Sequence, residues 1–190
     1  MAEVNFDQFH RIAILGGTFN PVHAGHVAIV QAVLKTRPKI EQIICMPNHI
    51  PAYKENAAIV DGSMRLDMLR LAMAHIPRVS VSGFELKRDG YTYTVDTFTR
   101  LKQLYPKLQI EFVIGDDSLF QLHKWYAFEQ LADLCEILVV ARGKQQDMIE
   151  TYIREFCTRY PAFRISYVKM PQVMVSSSEI RARIAKGESI

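Results

Sequence analysis

The sequence predicts an α/β domain built on a doubly wound parallel sheet. Apolar runs of strand length recur along the chain, and stretches with helical spacing separate them. The runs are apolar throughout rather than alternating, as strands covered on both faces require. In such sheets ligands collect beyond the carboxyl ends of the strands, so the residues that follow each run are where function is sought.

The first run, Arg11 to Leu15, leads into a glycine-rich turn and then a stretch in which Val27, Val30, Val33 and Leu34 recur at helical spacing. The second, Gln42 to Met46, opens a long polar connection from Pro47 to Gly62, a substrate loop or merely a mobile connection, the position after a strand favouring the first. Met64, Leu66, Met68, Leu69, Leu71 and Met73 then predict a helix, followed by a short strand at Val79 to Val81. Strands at Ile110 to Ile114, Glu136 to Val140 and Arg164 to Val168 complete the series. No repeat or low-complexity tract interrupts it.

At 190 residues and 49% hydrophobic content the chain fits one domain, residues 1–190, with a real core. The formal charge of +3 carries no block of like charges, which argues against a nucleic-acid partner while leaving room for a local phosphate pocket. No apolar run reaches the roughly 18 residues a spanning helix needs, and Met1 to His10 lacks the apolar core of a signal peptide. A soluble, cytoplasmic protein with no membrane partner is expected. Cys45, Cys135 and Cys157 lie far apart without C-x-x-C spacing and read as reduced thiols, the first two as small core hydrophobes.

Chemistry is concentrated after the first strand, in Gly16-Gly17-Thr18-Phe19-Asn20-Pro21-Val22-His23-Ala24-Gly25-His26. The glycines let backbone approach a ligand, and Pro21 is expected to lead into a helix whose first N–H groups and dipole favour phosphate. His23 and His26, three apart, fall on one face of that first turn and suit hydrogen-bond donation to a triphosphate. A plain turn with two solvated histidines is the simpler alternative. A zinc pair would need a third ligand the neighbouring sequence does not supply, so no metal is assigned to protein ligands. The spacing fits neither the dinucleotide-binding nor the Walker pattern. Near the other end, Ser176 and Glu179 have capping-box spacing and start a helix carrying Ser177, Ser178 and Arg181.

The first of these segments resembles G-G-T-F-N-P-x-H-x-G-H, the signature of the nicotinate and nicotinamide mononucleotide adenylyltransferases, across all eleven of its positions. Val175-Ser176-Ser177-Ser178-Glu179-Ile180-Arg181 resembles the family's I-S-S-T-x-I-R, with Val175 and Ser178 as departures. Phe112 to Leu119 is similar to F-I-x-G-x-D-x-L, Tyr93 to Thr97 to Y-T-V-D-T, and Trp125-Tyr126 to the family's W-Y step. Pro47, Pro51, Lys54 and Arg65 resemble its substrate-phosphate loop and the following helix, with Tyr53 where His is usual. Arg142-Gly143 lacks the Pro of the usual R-P-G, and family members usually continue through a helical tail beyond Ile190. The pantetheine-phosphate adenylyltransferases share H-x-G-H and the serine motif, but their turn usually reads T-F-D-P and they lack the Y-T-V-D-T and W-Y segments.

The resemblance implies a Rossmann-like nucleotidylyltransferase fold and transfer of AMP from ATP, accompanied by Mg2+, to nicotinate mononucleotide. It places catalysis on His23, His26 and Arg181. It assigns Gly16, Gly17, Thr18, Phe19, Gly115, Asp117, Ser177 and Ser178 with these to ATP, Asp117 either on a ribose hydroxyl or near the magnesium ion. Lys54, Arg65, Thr94, Trp125 and Tyr126 go to the nicotinate nucleotide, the indole on its pyridine ring. A nucleotide-binding module without turnover is the rival from another class, and homo-oligomerisation stays open.

Overall fold

A computed structural model describes residues 3–51, 59–88, 90–142, 146–171 and 173–190. Lys54, with Tyr53 and Gly143, lies outside the described residues.

After a 3₁₀ turn at Phe6–Gln8, the chain forms β1 (Arg11–Gly17), α1 (Ala24–Thr36), β2 (Gln42–Pro47), β3 (Ile50–Pro51), α2 (Gly62–Met73), β4 (Val79–Val81) and β5 (Tyr91–Thr92). It continues through α3 (Thr94–Leu104), β6 (Gln109–Gly115), α4 (Asp116–Gln121), α5 (Leu131–Leu134), β7 (Glu136–Arg142), α6 (Gln146–Arg159), β8 (Ile165–Met170) and α7 (Ser177–Ala185). All six expected strands are present. They form one six-stranded sheet in the order β4-β2-β1-β6-β7-β8, and every pairing in it is parallel.

Both faces of this sheet are buried, which is why the strands read as unbroken apolar runs. Ile12 and Ile14 of β1 face one core with Ile44, Ile137 and Val139, while Ala13 and Leu15 face the other with Ile43, Cys45 and Leu138. Helices α3 and α6 close the first layer through Phe98, Leu101, Ile149 and Phe156. Helices α1 and α2 close the second through Val30, Val33, Leu69 and Met73.

Helix α2 departs from its apolar pattern in a telling way. Met64 and Leu71 are exposed, and the stripe that turns inward is Arg65, Leu69 and Met73, at the i, i+4, i+8 spacing of one helix face. An arginine therefore occupies a core-facing position. The short parallel ladder between β3 and β5, which pairs Ile50 with Tyr91, is too brief to leave a sequence pattern.

Strand order reverses between β1 and β6. The chain winds outward from β1 through β2 to β4, then returns to the middle and winds outward again from β6. The crevice beyond the carboxyl ends of β1 and β6 is the topological switch point, where sheets of this kind bind ligands.

Candidate functional site

At that switch point β1 ends in Gly16-Gly17 and β6 ends in Gly115, which is also the N-cap of α4. A Cβ on Gly17 would stand 3.2 Å from the Phe19 ring, so a glycine is what lets that ring fold back under the turn. Phe19 is buried and has φ of 50°, a left-handed conformation that a bulky residue holds only when its surroundings impose it.

Pro21 leads into a helix, as expected: α1 begins at Ala24 and His23 is its N-cap. His23 Nδ1 accepts from the Gly25 amide at 3.1 Å, while His26 Nδ1 accepts from the His23 amide at 3.2 Å. The two imidazoles thus form a reciprocal capping box, their centroids 3.9 Å apart and their planes tilted by 39°. A neutral ring whose Nδ1 accepts carries its proton on Nε2, so both histidines present Nε2–H as a donor. Gly25 belongs to this arrangement, since a Cβ there would meet the His23 ring at 2.9 Å.

Helix α7 closes on this turn from the far end of the chain. Ser176 caps it, accepting from the Glu179 amide at 3.1 Å as the spacing predicted. Ser177 Oγ donates to the Pro21 carbonyl at 2.9 Å. Arg181 donates from Nη1 to the Asn20 carbonyl at 2.6 Å and from Nη2 to Ser178 Oγ at 3.3 Å.

Two chambers open between these segments. One, of about 380 Å³, is lined by Gly17, Thr18, Phe19, His26, Gly115, Asp117, Ser177, Ser178 and Arg181. The other, of about 430 Å³, is lined by Asn48, Glu85, Thr94, Tyr126 and, on the wall shared with the first, Gly16, Gly17, Thr18, Phe112, Asp117 and Trp125. Each volume suits a ligand of nucleotide size. His23 packs against His26 without itself lining either space.

Trp125 packs edge-on against Phe112, at 6.1 Å between centroids, and borders both chambers. Tyr126, largely exposed, lies 4.7 Å from the Tyr93 ring. Thr94 is the first residue of α3, whose N-cap Tyr93 makes no side-chain capping bond, so first-turn N–H groups stand at the chamber wall.

Arg65, expected to contact the nicotinate nucleotide, is not among the residues that line the two chambers. Its side chain is buried, and four of its N–H groups donate to backbone: Nε to Val60 O at 3.0 Å, Nη1 to Thr18 O at 2.9 Å and Asn48 O at 2.8 Å, and Nη2 to His49 O at 3.2 Å. Burial holds this guanidinium below its ordinary pKa, opposed by the Asp61 charge. The signal available in sequence was its place on the Leu69–Met73 stripe.

Glu85 was not expected in the site at all. It is 8% exposed, lines the larger chamber, and accepts from Thr97 Oγ1 at 2.8 Å. Burial pushes its carboxyl up to about 7, with the Thr97 hydroxyl and the Arg88 charge opposing. The thiols are structural, as expected: burial raises both Cys45 and Cys135 to about 12.

Residues 14–183 match the model of the cytidylyltransferase-like family. A probable nicotinate-nucleotide adenylyltransferase of Lachnoclostridium phytofermentans is 36% identical over 95% of this chain and 90% of its own. One from Carboxydothermus hydrogenoformans is 38% identical over 92% and 86%. Among solved structures, the Plasmodium falciparum nicotinic acid mononucleotide adenylyltransferase complexed with NaAD superposes with a TM-score of 0.74 at 20% identity, covering 95% of this chain and 87% of that one. That likeness speaks for the fold.

Proposed function

The chain belongs to the cytidylyltransferase-like family and, within it, to the nicotinate-nucleotide adenylyltransferases, and from that premise we infer that it joins the AMP half of ATP to nicotinate mononucleotide, releasing pyrophosphate and forming nicotinate adenine dinucleotide for NAD biosynthesis. The observation that carries this reading is the pair of chambers sharing one wall at Gly17, Thr18, Asp117 and Trp125. Two nucleotides that are to be joined through their phosphates must meet at such a wall.

In this reading residues 1–190 act as one domain, and ATP occupies the smaller chamber. A phosphate oxygen of the mononucleotide attacks the α-phosphorus in line; the new P–O bond forms as the bond to the β-phosphate bridging oxygen breaks, and pyrophosphate leaves with its charge. Such transfers need placement and electrostatic stabilisation rather than a protein nucleophile. His26 donates from Nε2–H to the triphosphate, His23 holds the His26 ring in place, and Arg181 clamps α7 over the same phosphates. The glycines of the β1 turn, Phe19 and Gly115 shape the wall, while Ser177 ties α7 to the turn and Ser178 accepts from Arg181.

Mg2+ accompanies ATP and would neutralise charge on its phosphates. Asp116 and Asp117 begin α4 at the sheet edge, and carboxylate oxygens are the donors this ion prefers. Among the described residues no cluster of three or more His, Cys, Asp or Glu side chains could hold a metal. Such an ion would be held largely through substrate phosphates, with one or two carboxylates assisting.

The pyridine nucleotide takes the larger chamber. Its ring stacks on Trp125, and its carboxylate lies against the first-turn N–H groups of α3 at Thr94 and the backbone at Tyr126, where an anion gains and an amide would point donors at donors. Lys54 is assigned to its phosphate. Incubating the protein with ATP, Mg2+ and nicotinate mononucleotide should yield pyrophosphate and the dinucleotide in equal amounts by mass spectrometry. ATP consumption without the dinucleotide would refute the reading.

A further inference from the structure

We propose that Arg65 is a positioning residue for the transfer: from behind the shared wall it sets Thr18 and Asn48 in the places from which they meet the pyridine nucleotide. The inference rests on the functional reading above and extends it to a residue that touches no substrate.

The four carbonyls Arg65 holds come from three separate stretches: Thr18 after β1, Asn48 and His49 after β2, and Val60 just ahead of α2. Strands β1 and β2 do not need it, since they are already paired from Ile12–Gln42 to Gly17–Pro47. What it joins are the loops leaving those strands at the switch point. A planar fork with N–H groups fixed in direction can satisfy several carbonyls at once; an ammonium of similar charge cannot reproduce that geometry. Four backbone carbonyls accept from the guanidinium, with the Asp61 charge also favouring it, an arrangement that requires those carbonyls to converge.

Two atoms beside the brace remain unsatisfied. Thr18 Oγ1 and Asn48 Oδ1 are buried and make no hydrogen bond among the described residues, although Asn48 lines the larger chamber and Thr18 the wall between the two. Leaving a buried polar atom unpaired is costly, and a nucleotide's hydroxyl or phosphate groups are suitable partners. The guanidinium thus holds the backbone of the two residues whose buried side-chain oxygens have no partner among the described residues, with the carbonyl of one on the same Nη1 as that of the other.

The test compares Arg65→Lys, Thr18→Val and the double variant in full-length protein, with KM and kcat measured for each nucleotide. Arg65→Lys should raise KM for nicotinate mononucleotide by roughly tenfold or more, and Thr18→Val should do likewise with no loss of Tm; the double variant should be worse than the poorer single by less than roughly threefold, because both act through one contact. A merely structural arginine would lower Vmax in proportion to the folded fraction and leave KM unchanged. That result, or full additivity, overturns the proposal. Should Arg65→Lys fail to fold, Thr18→Val and Asn48→Ala decide together, since an unchanged mononucleotide KM in both would leave Arg65 nothing to position. If the parent protein does not turn over, the functional reading fails, and the same comparison is made on mononucleotide dissociation constants by calorimetry, with the same outcomes deciding.

Discussion

At His26 the proton that matters sits on Nε2, because Nδ1 is occupied by the His23 amide. Replacing His26 with alanine removes one donor to developing phosphate charge. It should lower kcat by roughly 100- to 1,000-fold with the fold intact, whereas a loss below about threefold would remove the residue from the chemistry. Gly25→Ala separates stability from activity. The new methyl must displace the His23 ring that stands 2.9 Å away. Helix propensity gains about 1 kcal/mol while a cap of similar size is lost. Thermal melting should therefore stay near the parent's while kcat falls; an unchanged kcat would show that the cap geometry is irrelevant to transfer. Sequence alone made the histidine pair visible but not its capping role, because imidazoles are uncommon caps and Ser, Thr, Asp or Asn are the residues that usually announce one.

At the scale of elements, the 3₁₀ turn at Glu85–Lys87 is tied to α3 by the bond from Thr97 to Glu85. The carboxyl's pKa, about 7 against an ordinary 4.5, makes this joint pH-sensitive. A raised pKa means the unfolded chain ionises first, so the native state is penalised as pH rises. Below about pH 4.5 there is no penalty; between there and about 7 stability falls, by an amount on the order of 3 kcal/mol. Glu85→Gln, which keeps an acceptor for Thr97, should melt several degrees above the parent at pH 8 and with it near pH 4. Coincident melting curves at both pH values would contradict the assignment. Burial of this kind is invisible locally: Glu85 sits in a Phe-Glu-Leu-Lys-Arg stretch that reads as a surface turn, and only the return of α3 over it closes the site. Helix α2 was legible as a helix, but not which face turns inward. Met64 and Leu71 are apolar yet exposed, while Arg65 is drawn inward by carbonyls after β1, after β2 and just ahead of the helix. Trp125 was legible by motif, and as the only tryptophan it reports directly: nicotinate mononucleotide should change its emission, and binding without any change would exclude stacking.

For the whole molecule, unbroken apolar strands announced a sheet buried on both faces, and the glycine turn marked one carboxyl edge. What no run of residues displays is strand order. Placing β6 beside β1 depends on a crossover after α3, and it is this placement that brings Asp117 and Trp125 against Thr18 to make one wall between two chambers. The protein is therefore expected to act on two nucleotides, one of which is chosen by its charge at the start of α3. The direct measurement is kcat/KM for pyrophosphate release with ATP and either nicotinate or nicotinamide mononucleotide, side by side. The acid should be preferred by at least roughly tenfold, the equivalent of about 1.4 kcal/mol for a carboxylate over an amide at those N–H groups. Equal rates with the two mononucleotides, or no pyrophosphate from either, would contradict it.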